Sequence, residues 1–264
     1  MKLPVALTIA GSDSGGGAGI QADLKTFAAL GVHGTSAVTA ITAQNTLGVT
    51  EILEVPPSLV AAQIEAVMLD IGAAAAKTGM LSSAGIIEVV AHAIEHFDIR
   101  NLVVDPVMVA KGGARLLRDD AVDALRRRLL PLAAVVTPNL PEAEVLLGRA
   151  IRTLDERRQA ARDLVALGAR AAVVKGGHAD DAQAIDHYFD GTELVELQSP
   201  RIATANTHGS GCVFSAAIAA DLAKGSDSLA AVLLAKEFIT GAIERSLEVG
   251  RGHGPVNPMF KILG

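Results

Sequence analysis

Leu102-Val103-Val104-Asp105-Pro106 and Ala171-Ala172-Val173-Val174-Lys175-Gly176-Gly177 decide the fold class of this 264-residue chain. In both stretches successive residues are apolar, so a strand made of them buries both faces, as a parallel strand does when helices cover it on either side. Both runs stop abruptly at polar or glycine residues. Working outward, Val5–Ile9, Ser36–Ala43, Ala75–Thr78, Asn101–Val104, Ala133–Thr137 and Ala171–Lys175 read as strands, with a hairpin-like region across Ile185–Leu197. Between them Gln21–Leu30, Pro57–Leu69, Ala84–His96, Asp119–Leu129, Pro141–Leu147, Leu154–Leu167, Gly211–Lys224 and Ser228–Val249 carry a helical period. This alternation predicts an α/β fold of three layers, α/β/α, around a mostly parallel central sheet. No linker-like or low-complexity tract interrupts it, so residues 1–264 read as a single domain.

Composition narrows the function classes. Lys and Arg number 23 against 29 Asp and Glu, a formal charge of −6, the wrong sign for a chain that binds nucleic acid by neutralising phosphates. Aromatics are 3% with no Trp, too few for a base-stacking platform. Cys212 is the sole cysteine, which rules out internal disulfides and Cys-cluster metal sites and fits a reducing cytoplasm. No apolar stretch reaches the roughly 18 residues of a membrane-spanning helix, and Met1–Ala10 reads as the first strand, not as a leader. A soluble cytoplasmic protein is expected.

Polar and glycine residues collect where strands end: Gly11–Gly19, Gln44-Asn45, Asp105, Asn139 and Lys175-Gly176-Gly177. Ligands of open α/β sheets sit outside the carboxyl ends of the strands, so one sheet edge should carry the site. Thr207-His208-Gly209-Ser210-Gly211-Cys212 opens an apolar helix, and its flanking glycines let amides converge on an anion at a helix N-terminus. A ligand-free glycine-rich helix entry would look the same. Cys212 tips the balance: a thiol in a first helical turn is expected to have a lowered pKa and to accept a proton or touch phosphate. An inert buried cysteine is the alternative.

Other devices are missing. No Gly-Lys dipeptide occurs, which excludes a P-loop. Gly17-Ala18-Gly19-Ile20-Gln21-Ala22 matches a loose dinucleotide fingerprint, but the next strand ends in Gln44 where a ribose-binding carboxylate would stand. Asp105 and Glu142, with Lys175, suit a Mg²⁺–polyphosphate site, although Glu142 could equally be an N-terminal helix charge. The Gln44 amide complements an amino-substituted heterocycle, or merely stabilises a turn. Asp13 and Asp23 read as caps of loop and helix, His92 and His96 as solvated, and Arg126-Arg127-Arg128 as a match to a helix C-terminus.

These motifs, in this order, resemble the hydroxymethylpyrimidine/phosphomethylpyrimidine kinases of thiamine biosynthesis, in the ribokinase-like superfamily. The resemblance runs essentially end to end. It is carried by Ala10–Asp23, Thr42-Ala43-Gln44-Asn45-Thr46, Val104–Met108, Thr137–Glu144, Val174–His178, Thr207–Cys212 and His253-Gly254-Pro255-Val256-Asn257. It implies a ribokinase-like fold and ATP-dependent phosphorylation of 4-amino-5-hydroxymethyl-2-methylpyrimidine, first to the monophosphate and then to the diphosphate. It also implies Mg²⁺, admits a monovalent cation, and suggests a homodimer without nucleic-acid or membrane partners.

By the same resemblance Gln44, Gly11, Ala18, Asp23, Met80 and Val107 surround the pyrimidine. Gly209, Ser210, Gly211 and Cys212 form the anion hole, with Cys212 where sugar-kinase relatives carry an Asp base. Lys175, Asn139, Glu142, Asp105 and Thr207 face ATP and Mg²⁺, with Asp105 and Glu142 as the metal carboxylates. Val109–Arg115, by its residues a plain connector loop or a mobile segment, would by the resemblance be a flap over the phosphates. Ser210 stands where Thr is common, Val213 where a hydroxyl is frequent, and Asn257-Pro258-Met259-Phe260 where Asn-His-Phe is more usual. The alternatives are a pyridoxal or pyridoxine kinase of the same superfamily and a non-catalytic pyrimidine-binding protein.

Overall fold

The computed structural model describes residues 3–109, 113, 116–177 and 183–262. In chain order the strands are β1 (Val5–Asp13), β2 (His33–Asn45), β3 (Gly48–Glu54), β4 (Ala75–Thr78), β5 (Leu102–Val104), β6 (Val135–Val136), β7 (Ala172–Val174), β8 (Gln183–Phe189) and β9 (Leu194–Pro200). The α-helices are α1 (Gly19–Ala29), α2 (Pro57–Asp70), α3 (Ala84–His96), α4 (Asp119–Ala124), α5 (Leu140–Leu147), α6 (Leu154–Ala166), α7 (Ser210–Ala223) and α8 (Ser228–Glu244).

Among the described residues nine strands join one sheet in the order β3-β2-β1-β4-β5-β6-β7-β8-β9. The stretch from β2 to β7 is parallel; β3, β8 and β9 add antiparallel margins. Residues of one strand alternate between two cores. Leu102 and Val104 enter the core beneath α2–α6, whereas Val103 joins the opposite core with α1, α7 and α8. Each such fully buried side chain contributes about 1.5–3 kcal/mol of hydrophobic stabilisation. The predicted three-layer α/β/α architecture is therefore observed, and its cause is this two-sided burial.

The differences have local reasons. β3 was not anticipated because its residues are mostly exposed, so an edge strand with no core face shows no period for a reader to detect. The helix expected over Asp119–Leu129 leaves α geometry after Ala124, passing through a π turn at Leu125–Leu129 and a 3-10 turn at Leu130–Leu132. Pro131 has no amide to continue the ladder and its ring crowds the preceding turn. Arg126 and Arg128 do more than face a helix end: Arg126 donates to the Val145 carbonyl, and Arg128 pairs with Glu88 at 2.9 Å. The helix expected to reach Val249 ends at Glu244, after which the Leu247 amide donates to the Pro255 carbonyl at 2.9 Å.

Candidate active site

Three helix or loop entries meet at the carboxyl edge of the sheet, and each is shaped by a short-range device. After β1, the Asp13 carboxylate accepts from the amides of Gly15 at 2.8 Å, Gly17 at 3.1 Å and Ala18 at 2.8 Å, so it does cap the loop. Burial pushes the Asp13 carboxyl up, but the His208 hydrogen bond and the amides outweigh that and hold it below the usual range. After β6, Asn139 and Glu142 form a reciprocal capping box at the start of α5. At α7, Gly209 takes a left-handed φ of +77°, and a Cβ there would overlap the Gly17 carbonyl oxygen. Only glycine brings these two loops so close.

The charges meet between these entries. Lys175, following β7, donates to Asp105 Oδ1 at 2.9 Å, and Thr137 donates to the same oxygen at 3.3 Å. Gly211 lies over this pair, since a Cβ would stand 3.3 Å from Lys175 Nζ. Burial pulls the Lys175 ammonium down, and Asp105 and Glu142 more than compensate, so it stays charged. Burial pushes the Glu142 carboxyl up to about 7, with Lys175 opposing and Asp105 reinforcing the rise.

A cavity of about 770 Å³ connects these groups. Its walls include Gln44, Gly11, Ala18, Met80 and Val107, at or after the ends of β2, β1, β4 and β5, and Asp105, Asn139, Glu142 and Lys175, after β5, β6 and β7. The strand order therefore spreads the two sets along the sheet edge; Thr207 lines the cavity as well. Gly209, Ser210, Gly211 and Cys212 also line it. The predicted set is thus gathered around one space, with one exception. Asp23 is neither a cap nor a wall residue: it lies inside α1, fully buried, bonded to Lys77 Nζ at 2.9 Å and to the Thr8 hydroxyl at 2.6 Å. A carboxylate so enclosed cannot touch a ligand directly.

Two further expectations change. The Cys212 thiol is not acidified; burial pushes it up to about 11, and the nearby Lys77 ammonium only partly opposes this. Desolvation by the surrounding protein outweighs the helix N-terminus, although Cys212 is only partly buried at the cavity wall. Val213 is fully buried in the core away from the cavity, so a hydroxyl at that position would not reach a phosphate there. Of the expected flap, Ala110, Lys111, Gly112, Ala114 and Arg115 lie outside the described residues, as does His178. Val109 and Leu116, at its two ends, line the cavity. His92 and His96 are exposed, as expected.

Sequence reading passed over other wall residues. His208 approaches Asp13 Oδ2 at 2.9 Å, and Lys236 of α8 donates to Asp186 of β8 at 2.8 Å. His208 belongs to the Thr207–Cys212 motif, whereas Lys236 and Asp186 lie 50 positions apart and carry no local signal. Among the described residues no group of three or more His, Cys, Asp or Glu is arranged to hold a metal. Asp105 and Glu142 are two carboxylates beside an anion-shaped turn, a donor set that suits a hard cation brought in with phosphates and keeping its waters.

Comparison with known proteins agrees with this geometry. The profile of the phosphomethylpyrimidine kinase family matches residues 13–257. A hydroxymethylpyrimidine/phosphomethylpyrimidine kinase of Haemophilus influenzae is 54% identical, over 95% of each chain. Among solved structures, a Bacillus subtilis pyridoxal kinase in complex with ADP superposes with a TM-score of 0.93 at 42% identity, over 100% of both chains. A Clostridium difficile phosphomethylpyrimidine kinase gives 0.82 at 42% identity, covering 92% of this chain and 100% of that one. With a ribokinase-like sheet, a two-ended cavity and a match over nearly its whole length, the chain belongs to the phosphomethylpyrimidine kinase family.

Proposed function

We propose that the protein transfers the γ-phosphoryl group of ATP to the hydroxymethyl oxygen of 4-amino-5-hydroxymethyl-2-methylpyrimidine, and in a second turnover to the resulting monophosphate, as a step of thiamine biosynthesis. The observation that carries this reading is the single cavity with two unlike ends joined at the Gly209–Cys212 turn. At one end the Gln44 amide, Met80 and Val107 offer a small polar and apolar pocket for a heterocycle. At the other, Lys175 supplies a fixed ammonium, and Pro200, Ile202, Ile239 and Ile243 offer an apolar wall for a nucleotide base.

The transition state of phosphoryl transfer is loose and places its charge on the transferring oxygens, so positioning and electrostatics dominate. Amides of Gly209 and Gly211, at the positive end of α7, hold those oxygens, and Lys175 neutralises part of their charge. The acceptor oxygen forms the new bond to phosphorus as the bond to the ADP oxygen breaks. A thiol pushed to about 11 is a poor base at neutral pH, so Cys212 serves chiefly to position the acceptor and line the hole. That suffices, because an alcohol gives up its proton late in such a reaction, to water or to an oxygen of the transferred phosphoryl group, and a phosphate acceptor, with a second pKa near ~6, needs no base. A divalent cation held beside Asp105 and Glu142 would supply further neutralisation of phosphate charge.

The same reading includes a homodimer and a cytoplasmic setting. Among the described residues no helix is long and apolar enough to cross a membrane. Ile41, Leu47 and Leu53 are exposed on the β2–β3 margin, a face a second copy could cover. The test is ADP release with Mg·ATP and each of the pyrimidine alcohol, pyridoxal and pyridoxine, with products identified by mass spectrometry. Mono- and diphosphate formed from the pyrimidine are expected. Turnover confined to the pyridoxal-type alcohols overturns the substrate, and no ADP with any of them overturns the kinase reading.

A further inference from the structure

The glycine-rich loop after β1 and the turn before α7 are almost two hundred residues apart in sequence, yet they touch through more than backbone. His208 Nε2 lies 2.9 Å from Asp13 Oδ2 and 3.4 Å from the Gln44 amide nitrogen. Asp13 is the residue that already gathers the amides of Gly15, Gly17 and Ala18. The His208 ring lies against Gly17, where a Cβ would stand 2.5 Å from Cδ2, and the His208 backbone pairs with Val256 and Gly254. The ring is therefore anchored on one side by the tail of the chain and on the other by the loop.

We infer that His208 and Asp13 are positioning residues of the phosphotransfer, a clamp that fixes the pyrimidine-side loop against the anion turn and sets which atoms of Gln44 the substrate meets. The inference rests on the reaction proposed above and extends it to residues outside the reacting groups. An ionised carboxylate has only lone pairs, so the proton in the contact lies on His208 Nε2 and points at Asp13. The carboxyl is held ionised below its ordinary range by that bond and by the loop amides, despite the opposing effect of burial. A nitrogen that donates to Asp13 cannot also accept from the Gln44 amide, whose N–H is left for the ligand. The one proton of the Thr42 hydroxyl is shared between the Ser12 carbonyl at 2.9 Å and Gln44 Oε1 at 3.1 Å, at the other end of the amide. One hydrogen bond thus orders the loop that closes on the heterocycle, the turn that receives the phosphoryl group, and the amide between them.

Three variants of nearly equal bulk separate this from simple space-filling: His208→Gln, whose amide can still donate to Asp13, His208→Leu, which cannot, and Asp13→Asn. In the ligand-free protein, followed by amide hydrogen exchange, His208→Leu and Asp13→Asn should speed exchange at Gly15–Ala18 and Gly209–Gly211 together by about 10-fold, with His208→Gln much closer to wild type. In steady-state kinetics His208→Leu should raise KM for the pyrimidine alcohol about 10-fold and lower kcat, while KM for ATP moves less than about 3-fold. Equal behaviour of the Gln and Leu variants, or exchange that changes in one segment only, overturns the clamp. A wild-type protein that fails to phosphorylate the pyrimidine overturns the proposed reaction instead, and the exchange experiment, which needs no substrate, then decides on the clamp by itself.

Discussion

Two lysine–aspartate pairs flank the same turn with the same separation and opposite roles. Lys77–Asp23 and Lys175–Asp105 are each closed at 2.9 Å, but the first has 0% side-chain exposure on both partners and the second 15% and 2%. Burial alone would push Lys77 down; Asp23, touched through both carboxylate oxygens, reverses that and keeps the ammonium charged. Lys77 borders the cavity too, but neither side chain of this pair has exposed surface through which a ligand could separate them. Lys175 sits at the cavity wall, where an incoming phosphate can share its ammonium with Asp105. Bond length therefore says little about function: access of a competing anion decides which pair is structural and which is chemical.

The most damaging way to break the comparison is Lys77→Met. It leaves a fully buried carboxylate with no countercharge and only the Thr8 hydroxyl as a partner, so stability in urea should fall by about 3–5 kcal/mol, and adding Asp23→Leu should recover part of that. Lys175→Met should do the reverse, lowering kcat by about 10²–10³ while unfolding shifts by no more than ~1–2 kcal/mol, because Asp105 keeps the Thr137 hydroxyl and loss of the lysine opens it to the cavity that it lines. Similar unfolding curves for the two variants would erase the distinction.

Cys212 sharpens the contrast, since its thiol feels both Lys77 and the two aspartates. With the thiol at about 11, alkylation by iodoacetamide at pH 7.5 should run on the order of 10²-fold slower than for free cysteine and keep rising beyond pH 10. A rate faster than free cysteine would restore the acidified thiol that the sequence suggested. The smallest effect concerns His187, an ionisable group buried with neither ring nitrogen hydrogen-bonded. Burial lowers its pKa below 6.5, Glu196 opposing and Arg157 and Arg158 reinforcing the shift. The native state therefore stays neutral where the unfolded chain takes up a proton, and stability declines as pH falls below about 6.5. Replacing His187 with Leu should flatten that slope in acid titrations of unfolding.

Much of this site was legible because its parts are local. Asp13 as a loop cap, Asn139 and Glu142 at a helix start, and Gly209–Cys212 before an apolar helix are each read within a few residues, where backbone geometry and turn chemistry dominate. The reading failed where an effect depends on the surroundings. Asp23 belongs by sequence to a site motif, yet its partner Lys77 comes from β4, more than fifty residues away, and encloses it. The Cys212 pKa was judged from its helix position, whereas the depth of burial set its direction. β3 escaped notice because exposure removes the alternation that betrays a strand.

The sequence by itself determined the layered α/β class, the sheet edge that bears the site and the residue types that gather there, because periodicity and strand-end chemistry act over short distances. Tertiary structure alone decided which ion pair meets a ligand, how reluctant the thiol is to ionise, and that His208 joins two remote loops. Those properties depend on solvent access and on contacts between segments far apart in the chain, and no local pattern encodes either.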